Sequence, residues 1–181
     1  FYVSRVPSSL TAAFEDEFVG GALRLKDNVT VSHCDIYNNV SNNGGAIYAN
    51  NTNNDKNIVV SYSKIHDNYA HDEGGALSIH RNYVWMDTPR DSIINCEISN
   101  NKSDRFGGMS IRMMRVIGST IVSNNSEMYS YDTLTSNNNN NEYLNCIIWG
   151  NIGRNYPSQI EGHDNKYKYC AIHGGYTGEG N

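Results

Sequence analysis

The hydrophobic pattern of this chain alternates for a few residues, stops, and starts again. In Val31–Asn39 (V-S-H-C-D-I-Y-N-N) apolar and polar positions alternate around Cys34-x-Ile36, with turn-forming residues on either side. That is the signature of short strands joined by turns. The pattern recurs in register as Val60–Asn68, Ile93–Asn101, Val116–Asn124, Tyr143–Asn151 and Tyr167–Gly175. Three columns carry the repeat. One is small: Cys34, Ser63, Cys96, Ser119, Cys146 and Cys170. Two residues on stands an isoleucine in every copy: Ile36, Ile65, Ile98, Ile121, Ile148 and Ile172. Three further on stands Asn39, Asn68, Asn101, Asn124 and Asn151, with Gly175 ending the run.

The small position returns at steps of 23 to 33 residues. Self-similarity at that period marks a solenoid, in which one unit buries its apolar face only by stacking on a copy of itself. No unit holds a helix-length periodic segment, so helical and leucine-rich arrays are excluded. The expected fold is all-β: a single-stranded parallel β-helix of about six rungs, each about 4.8 Å from the next. Here the Ile and Cys/Ser columns face inward. The Asn column forms a corner, where asparagine tolerates left-handed geometry and its amide bonds to the rungs above and below. All three columns are read as structural.

A second motif, Gly20-Gly21-Ala22-Leu23, returns at Gly44–Ile47, Gly74–Leu77 and Gly107–Ser110. Paired glycines before a strand permit a sharp corner at positive φ. Each coil therefore reads strand, Asn corner, short linker, Gly-Gly corner, strand, loop. Residues 20–181 form the solenoid domain on this reading. Residues 1–19 do not match the repeat. They are either a cap over the first rung, with Ser9–Phe18 a short helix N-capped by Ser9, or the remnant of an upstream rung. The start at Phe1-Tyr2-Val3 and the end at Gly180-Asn181 suggest a mature or trimmed piece of a longer protein.

Together, G-G-A-[I/L] and I-x-x-N resemble the paired repeats of the chlamydial polymorphic outer-membrane proteins, in which the second motif reads F-x-x-N. More widely, they resemble the right-handed β-helix repeat proteins of bacterial surfaces. Ile147–Asn151 (I-I-W-G-N), Gln159-Ile160 and Tyr169–Asn181 are similar to the closing rungs of secreted choice-of-anchor β-helix proteins. The resemblance implies a right-handed coil, a secreted or cell-surface location, and a structural or adhesive role. Ile stands in place of Phe throughout, so the architecture carries over and a specific host receptor does not.

Composition narrows the classes. Net charge is −5, from 14 basic and 19 acidic residues, with no basic cluster, so nucleic acid is not an expected partner. Asparagine is abundant at 27 residues, and 13 Tyr against 4 Phe give a polar surface dotted with aromatics. No apolar run is long enough to span a membrane as a helix. All four cysteines fall in one inward column where serine substitutes. Free, buried thiols are therefore expected, with a Cys146–Cys170 bridge the minor alternative. The six histidines show no metal-ligand spacing, and no cofactor is expected. Sequons occur at Asn28, Asn39, Asn50, Asn101 and Asn124. Three of these are corner residues with occupied amides, and are poor glycan acceptors.

Insertions in a solenoid collect on one face, often the binding face. Here they are Asn50–Asn57 and His80–Asp91. The second places Arg81, Tyr83, Trp85, Asp87 and Arg90 together, an aromatic group flanked by hydrogen-bonding side chains that suits a sugar or a partner surface. The alternative is that Trp85 folds back onto the solenoid. The run Asn137–Asn141 is expected to be a mobile loop, with Tyr129 and Tyr131 supplying a replacement strand. An enzyme reading, polysaccharide-lyase-like, would act from Arg24, His80, Arg112 and Arg115, with Asp67, Asp72, Glu73 and Asp104 approaching across rungs. No two acids recur in one column, which favours the adhesive reading. A third reading is a filament or surface-layer subunit that stacks end to end through its open rungs.

Overall fold

A computed structural model describes residues 2–4, 19–26, 28–51, 57–81, 91–127, 140–153, 165–175 and 178–181. Within them every named element is a β-strand, and every strand pairing is parallel. The strands stack into four sheets of seven, six, five and four strands. The chain is a parallel β-helix. No helix among the described residues is long and apolar enough to cross a membrane.

One coil shows how the sequence folds. Val29–Ser32 lies in the six-stranded sheet, Asp35–Tyr37 in the seven-stranded sheet, Val40–Asn43 in the five-stranded sheet and Ile47–Asn51 in the four-stranded sheet. The nine-residue repeat therefore spans a bend. Val31, Ile36 and Asn39 face inward, with Cys34 half-buried between them. A strand places inward residues two apart, so the three-residue steps from Val31 to Cys34 and from Ile36 to Asn39 each need one residue out of the extended conformation. That residue takes positive φ. Before the Cys/Ser column it is His33, Tyr62, Asn95, Gly118, Asn145 and Tyr169. Before the Asn column it is Asn38, Asp67, Asn100, Ser123, Gly150 and Gly174. The left-handed corner thus belongs to the residue preceding each ladder asparagine, correcting the expectation from sequence.

The Ile column is in strict register, Ile36↔Ile65↔Ile98↔Ile121↔Ile148↔Ile172. The first five are fully buried, and each contributes about 2 kcal/mol by leaving water. Val31, Val60, Ile93 and Val116, then Tyr143 and Tyr167, line the six-stranded wall. At the N-terminal end Tyr2–Ser4 pairs with Asp35–Tyr37, adding a strand to the stack below the first recognised copy. Ser9–Phe18 lies outside the described residues.

The asparagines form a continuous ladder. Nδ2 of Asn39, Asn68, Asn101 and Asn124 donates to Oδ1 of the next member at 2.9, 2.9, 3.0 and 2.9 Å. The same oxygens accept the backbone N–H of the preceding member. The sequons follow from this geometry: two residues after the ladder, Ser41, Ser103 and Ser126 are the small inward residues of the five-stranded sheet. A second ladder was not expected. Asp91, Asn141 and Asn165 accept the backbone N–H of Ile58, Met114 and Asn141 respectively, at the entry to the six-stranded sheet. Asp91 therefore opens a strand and is buried rather than lying in an exposed loop. Asn141 is fully buried too, so the asparagine run ends in structure, while residues 128–139, with Tyr129 and Tyr131, lie outside the described set.

All four cysteines are free; Cys96, Cys146 and Cys170 are buried and Cys34 is half-buried. Serine serves the same column because its hydroxyl caps the rung below: Ser63 Oγ accepts Cys34 N–H and Ser119 Oγ accepts Cys96 N–H, each at 3.1 Å.

Candidate functional site

The expected binding loop falls largely outside the described residues. Arg81 ends a strand paired to Ile47–Asn51, while Tyr83, Trp85, Asp87 and Arg90 lie outside them. The described surface draws attention to a different place, the outer side of the seven-stranded sheet. With isoleucine fixed inward at the centre of each three-residue strand, the residues on either side must point out. They form two columns. One runs Asp35, Lys64, Glu97, Thr120, Ile147, Ala171. The other runs Tyr37, His66, Ser99, Val122, Trp149, and His173 continues it by stacking on Trp149.

This face has two halves of different character. The N-terminal half is charged and internally paired. His66 bridges Asp35 through Nε2 (3.0 Å) and Asp67 through Nδ1 (2.6 Å), and its ring stacks on Tyr37 at 5.1 Å. Lys64 meets Glu97 at 3.4 Å. Beside these groups, over the bend between the six- and seven-stranded sheets, lies an open cleft of about 630 Å³. It is walled by the stacked rings of His33 and Tyr62 and by Asp35, Lys64 and Glu97, and the half-buried Cys34 also lines it.

The C-terminal half carries no Asp, Glu, Lys or Arg in either column. Trp149 is 53 % exposed, Ile147 48 % and Ile152 61 %. Trp149 stacks on His173 with centroids 4.7 Å apart and planes 23° from parallel. Large apolar side chains held on regular strands form a platform that costs little entropy to order on binding. The signal was present in I-I-W: once Ile148 is assigned to the core column, Ile147 and Trp149 must both face outward. The insertions leave the coil between the four- and six-stranded sheets, the corner opposite Trp149–Ile152 in the ring of four strands.

Of the residues considered for lyase chemistry, His80, Glu73, Asp72 and Arg112 gather in one neighbourhood, while Arg24 and Arg115 lie elsewhere. Arg24 is in register with Tyr48, Ser78 and Ser110 on the four-stranded sheet. Arg115 is on the six-stranded sheet, held by Glu142 at 3.2 Å. His80 is tied into a closed chain: Nε2 lies 2.8 Å from Ser110 Oγ, which donates to Glu73 Oε2 at 2.9 Å, and Glu73 meets Arg105 at 3.0 Å. Ser110 is fully buried and gives its proton to Glu73, so His80 is the donor to the hydroxyl and the serine has no free approach for attack. Asp72 is also held by Arg105, and Asp104 accepts from the Tyr69 hydroxyl at 3.0 Å. That contact, after burial, pushes the Tyr69 phenol up to about 12. Among the described residues no three His, Cys, Asp or Glu side chains gather to hold a metal ion.

Burial lowers the His80 pKa, and neighbouring Arg112 adds to this while Glu73 opposes it. A histidine harder to protonate folded than unfolded contributes stability above the unfolded value of about 6.5 and loses it as pH falls through the folded value. Urea midpoints of His80→Gln, compared with wild type between pH 7 and pH 5, are expected to show a shallower loss on acidification. An unchanged pH slope would mean that His80 titrates equally in both states.

No protein-family model, no curated protein and no solved structure matches this chain.

Proposed function

We propose that this is a secreted or cell-surface β-helix domain with an adhesive role, binding a glycan on the outer side of its seven-stranded sheet. One observation carries the reading: the exposed Trp149–His173 stack beside Ile147 on the seven-stranded sheet, with the exposed Ile152 just past the Gly150 corner. Sugar rings present an apolar face of C–H groups edged by hydroxyls. An exposed indole takes the face, and nearby polar groups take the hydroxyls. The cleft beside Tyr62 and His33, at the bend bordering the same sheet, supplies aromatic rings next to carboxylates and an ammonium group, suited to a further sugar unit. The surface location rests on the resemblance of the paired G-G-A-[I/L] and I-x-x-N motifs to bacterial surface repeats.

A glycan array probed with the purified domain tests this. Trp149→Ala is expected to weaken binding to any hit at least tenfold while leaving the circular dichroism spectrum and unfolding midpoint close to wild type, because the side chain is half exposed. The Trp85→Ala variant separates this face from the His80–Asp91 loop. Loss in Trp85→Ala alone would move the site to that loop. Appearance of unsaturated sugar products, read by ultraviolet absorbance, would replace adhesion with lyase activity.

A further inference from the structure

The last two coils hold a pair of thiols at equivalent positions of adjacent rungs, and we infer that Cys146 and Cys170 form an oxidation site that closes to an intrachain disulfide, stapling the terminal rung to the one below. The inference is independent of the glycan reading. Its basis is position. Cys146 and Cys170 each precede strands paired as Ile147↔Ala171, so they face one another across adjacent rungs, and Ala171 N–H donates to the Cys146 carbonyl at 2.9 Å. Adjacent strands bring Cα atoms to about 4.8 Å, inside the range of roughly 4.4 to 6.8 Å that a disulfide spans. Both side chains are buried, with Cys146 S–H directed at the Val116 and Leu144 carbonyls at 3.4 Å and Cys170 S–H at the Lys168 carbonyl at 3.3 Å. Elsewhere in the column the arrangement is broken: Ser63 separates Cys34 from Cys96, and Ser119 separates Cys96 from Cys146. Only one pair of cysteines in the chain occupies neighbouring rungs.

The two sulfurs are unequal. Cys170 lies in the terminal rung and is the more accessible, 4 % exposed against 1 % for Cys146. The neighbouring Cys146 thiol also lowers the Cys170 pKa against the opposing effect of burial, while the same neighbour and burial raise that of Cys146. Cys170 is therefore the sulfur that reacts first. With a peroxide as oxidant, the Cys170 thiolate attacks one oxygen and the O–O bond breaks. Cys170 becomes a sulfenic acid, and the departing hydroxide takes a proton to become water. Cys146 sulfur then attacks Cys170 Sγ, the S–O bond breaks, and the hydroxide leaves with the Cys146 proton as a second water. Two thiols and one peroxide yield one disulfide and two waters. The rung is suited to a staple: the four-stranded sheet ends at Met109–Ile111 and the five-stranded sheet at Ile152–Gly153, so among the described residues strand pairing joins the last coil to the one below through two sheets alone.

The test is oxidation of the folded chain by hydrogen peroxide after removal of reductant, followed by non-reducing peptide mapping. The expected product links the Cys146 and Cys170 peptides, has lost two hydrogens, and leaves Cys34 and Cys96 unlinked, with a higher unfolding temperature than the reduced chain. Serine already occupies this column at Ser63 and Ser119, so Cys146→Ser and Cys170→Ser keep the fold. Cys146→Ser is expected to accumulate a sulfenic acid at Cys170 that a dione reagent traps, and Cys170→Ser to slow oxidation of Cys146 at least tenfold. Sulfinic acid at Cys170 beside an intact Cys146 thiol, a link to any other cysteine, no oxidation at either residue while Cys34 reacts, or an unchanged Cys146 rate in Cys170→Ser would each overturn the inference.

Discussion

Gly75→Ala is expected to destabilise the domain by about 3 kcal/mol or more, the upper end for forcing an atom into a packed site. A Cβ on Gly75 would sit under 3.0 Å from backbone atoms of both Gly107 and Lys102 in the next coil. Neither can step aside freely. Gly75 N–H donates to the Phe106 carbonyl at 3.1 Å and Lys102 N–H to the Asn68 carbonyl at 2.9 Å. Moving either strand away strains the bonds that hold successive coils together. The Gly-Gly corner thus uses its two glycines differently. The first, at Gly20, Gly44 and Gly74, takes positive φ. The second, at Gly21, Gly45 and Gly75, lets one coil's backbone lie against the next. Gly150→Ala separates the two effects, because Gly150 has a φ of 64° and nothing within 4 Å of a built Cβ. It is expected to lose only about 1 kcal/mol, from left-handed strain. Urea denaturation of both variants measures the difference; equal losses would show that the contact between coils is not what requires the second glycine.

Asn101→Ala should cost about 3 kcal/mol, because it cuts the ladder at its centre. Asn101 is fully buried. Its Oδ1 accepts from Asn68 N and Nδ2 at 3.1 and 2.9 Å, and its Nδ2 donates toward Ile65 O, Ser99 O and Asn124 Oδ1 at 2.9 to 3.0 Å. Alanine leaves donors on one side and acceptors on the other unsatisfied in a dry interior, and each costs on the order of 1 kcal/mol or more. Asn101→Asp refines the test. Its carboxyl keeps the acceptor, but when ionised it faces the carbonyl oxygens of Ile65 and Ser99 with no proton to offer. Burial then raises its folded pKa above the unfolded value of about 3.9. The folded state holds the proton more tightly, so stability falls as pH rises through this window. Asn101→Asp is expected to be more stable at pH 4 than at pH 7 relative to wild type. A flat difference would mean that the site admits water.

These two positions show why the domain can present a flat face. The Gly-Gly corner and the asparagine ladder fix the distance and register between coils through the backbone, at corners, without using the outward positions of the seven-stranded sheet. Those positions differ from coil to coil, from Asp35 and Lys64 to Ile147 and Trp149, while the inward isoleucine and the corners repeat. A scaffold whose stability resides in its core and corners can change its surface without unfolding.

The repeat alone determined the architecture, because a parallel β-helix places the same physical demand on every coil. Ile36 through Ile172, the Cys/Ser column and Asn39 through Asn151 occupy equivalent positions in each rung, so one period read six times gives the stack, the core and the ladder. Three things were decided only in three dimensions. The left-handed bends fall on residues as different as Tyr62, Asp67 and Ser123, because the need for a bend arises from where the neighbours on both sides must point, not from the residue's own preference. The second ladder of Asp91, Asn141 and Asn165 escaped notice because the loops before it differ in length, so its members share no fixed spacing in the chain. The candidate site was half legible: I-I-W puts Trp149 outward once Ile148 is placed inward. Its contact with His173 and its neighbourhood with Ile152 exist only because coils 24 residues apart at Cys146 and Cys170 are stacked in register, and because the corner at Gly150 turns the chain between them.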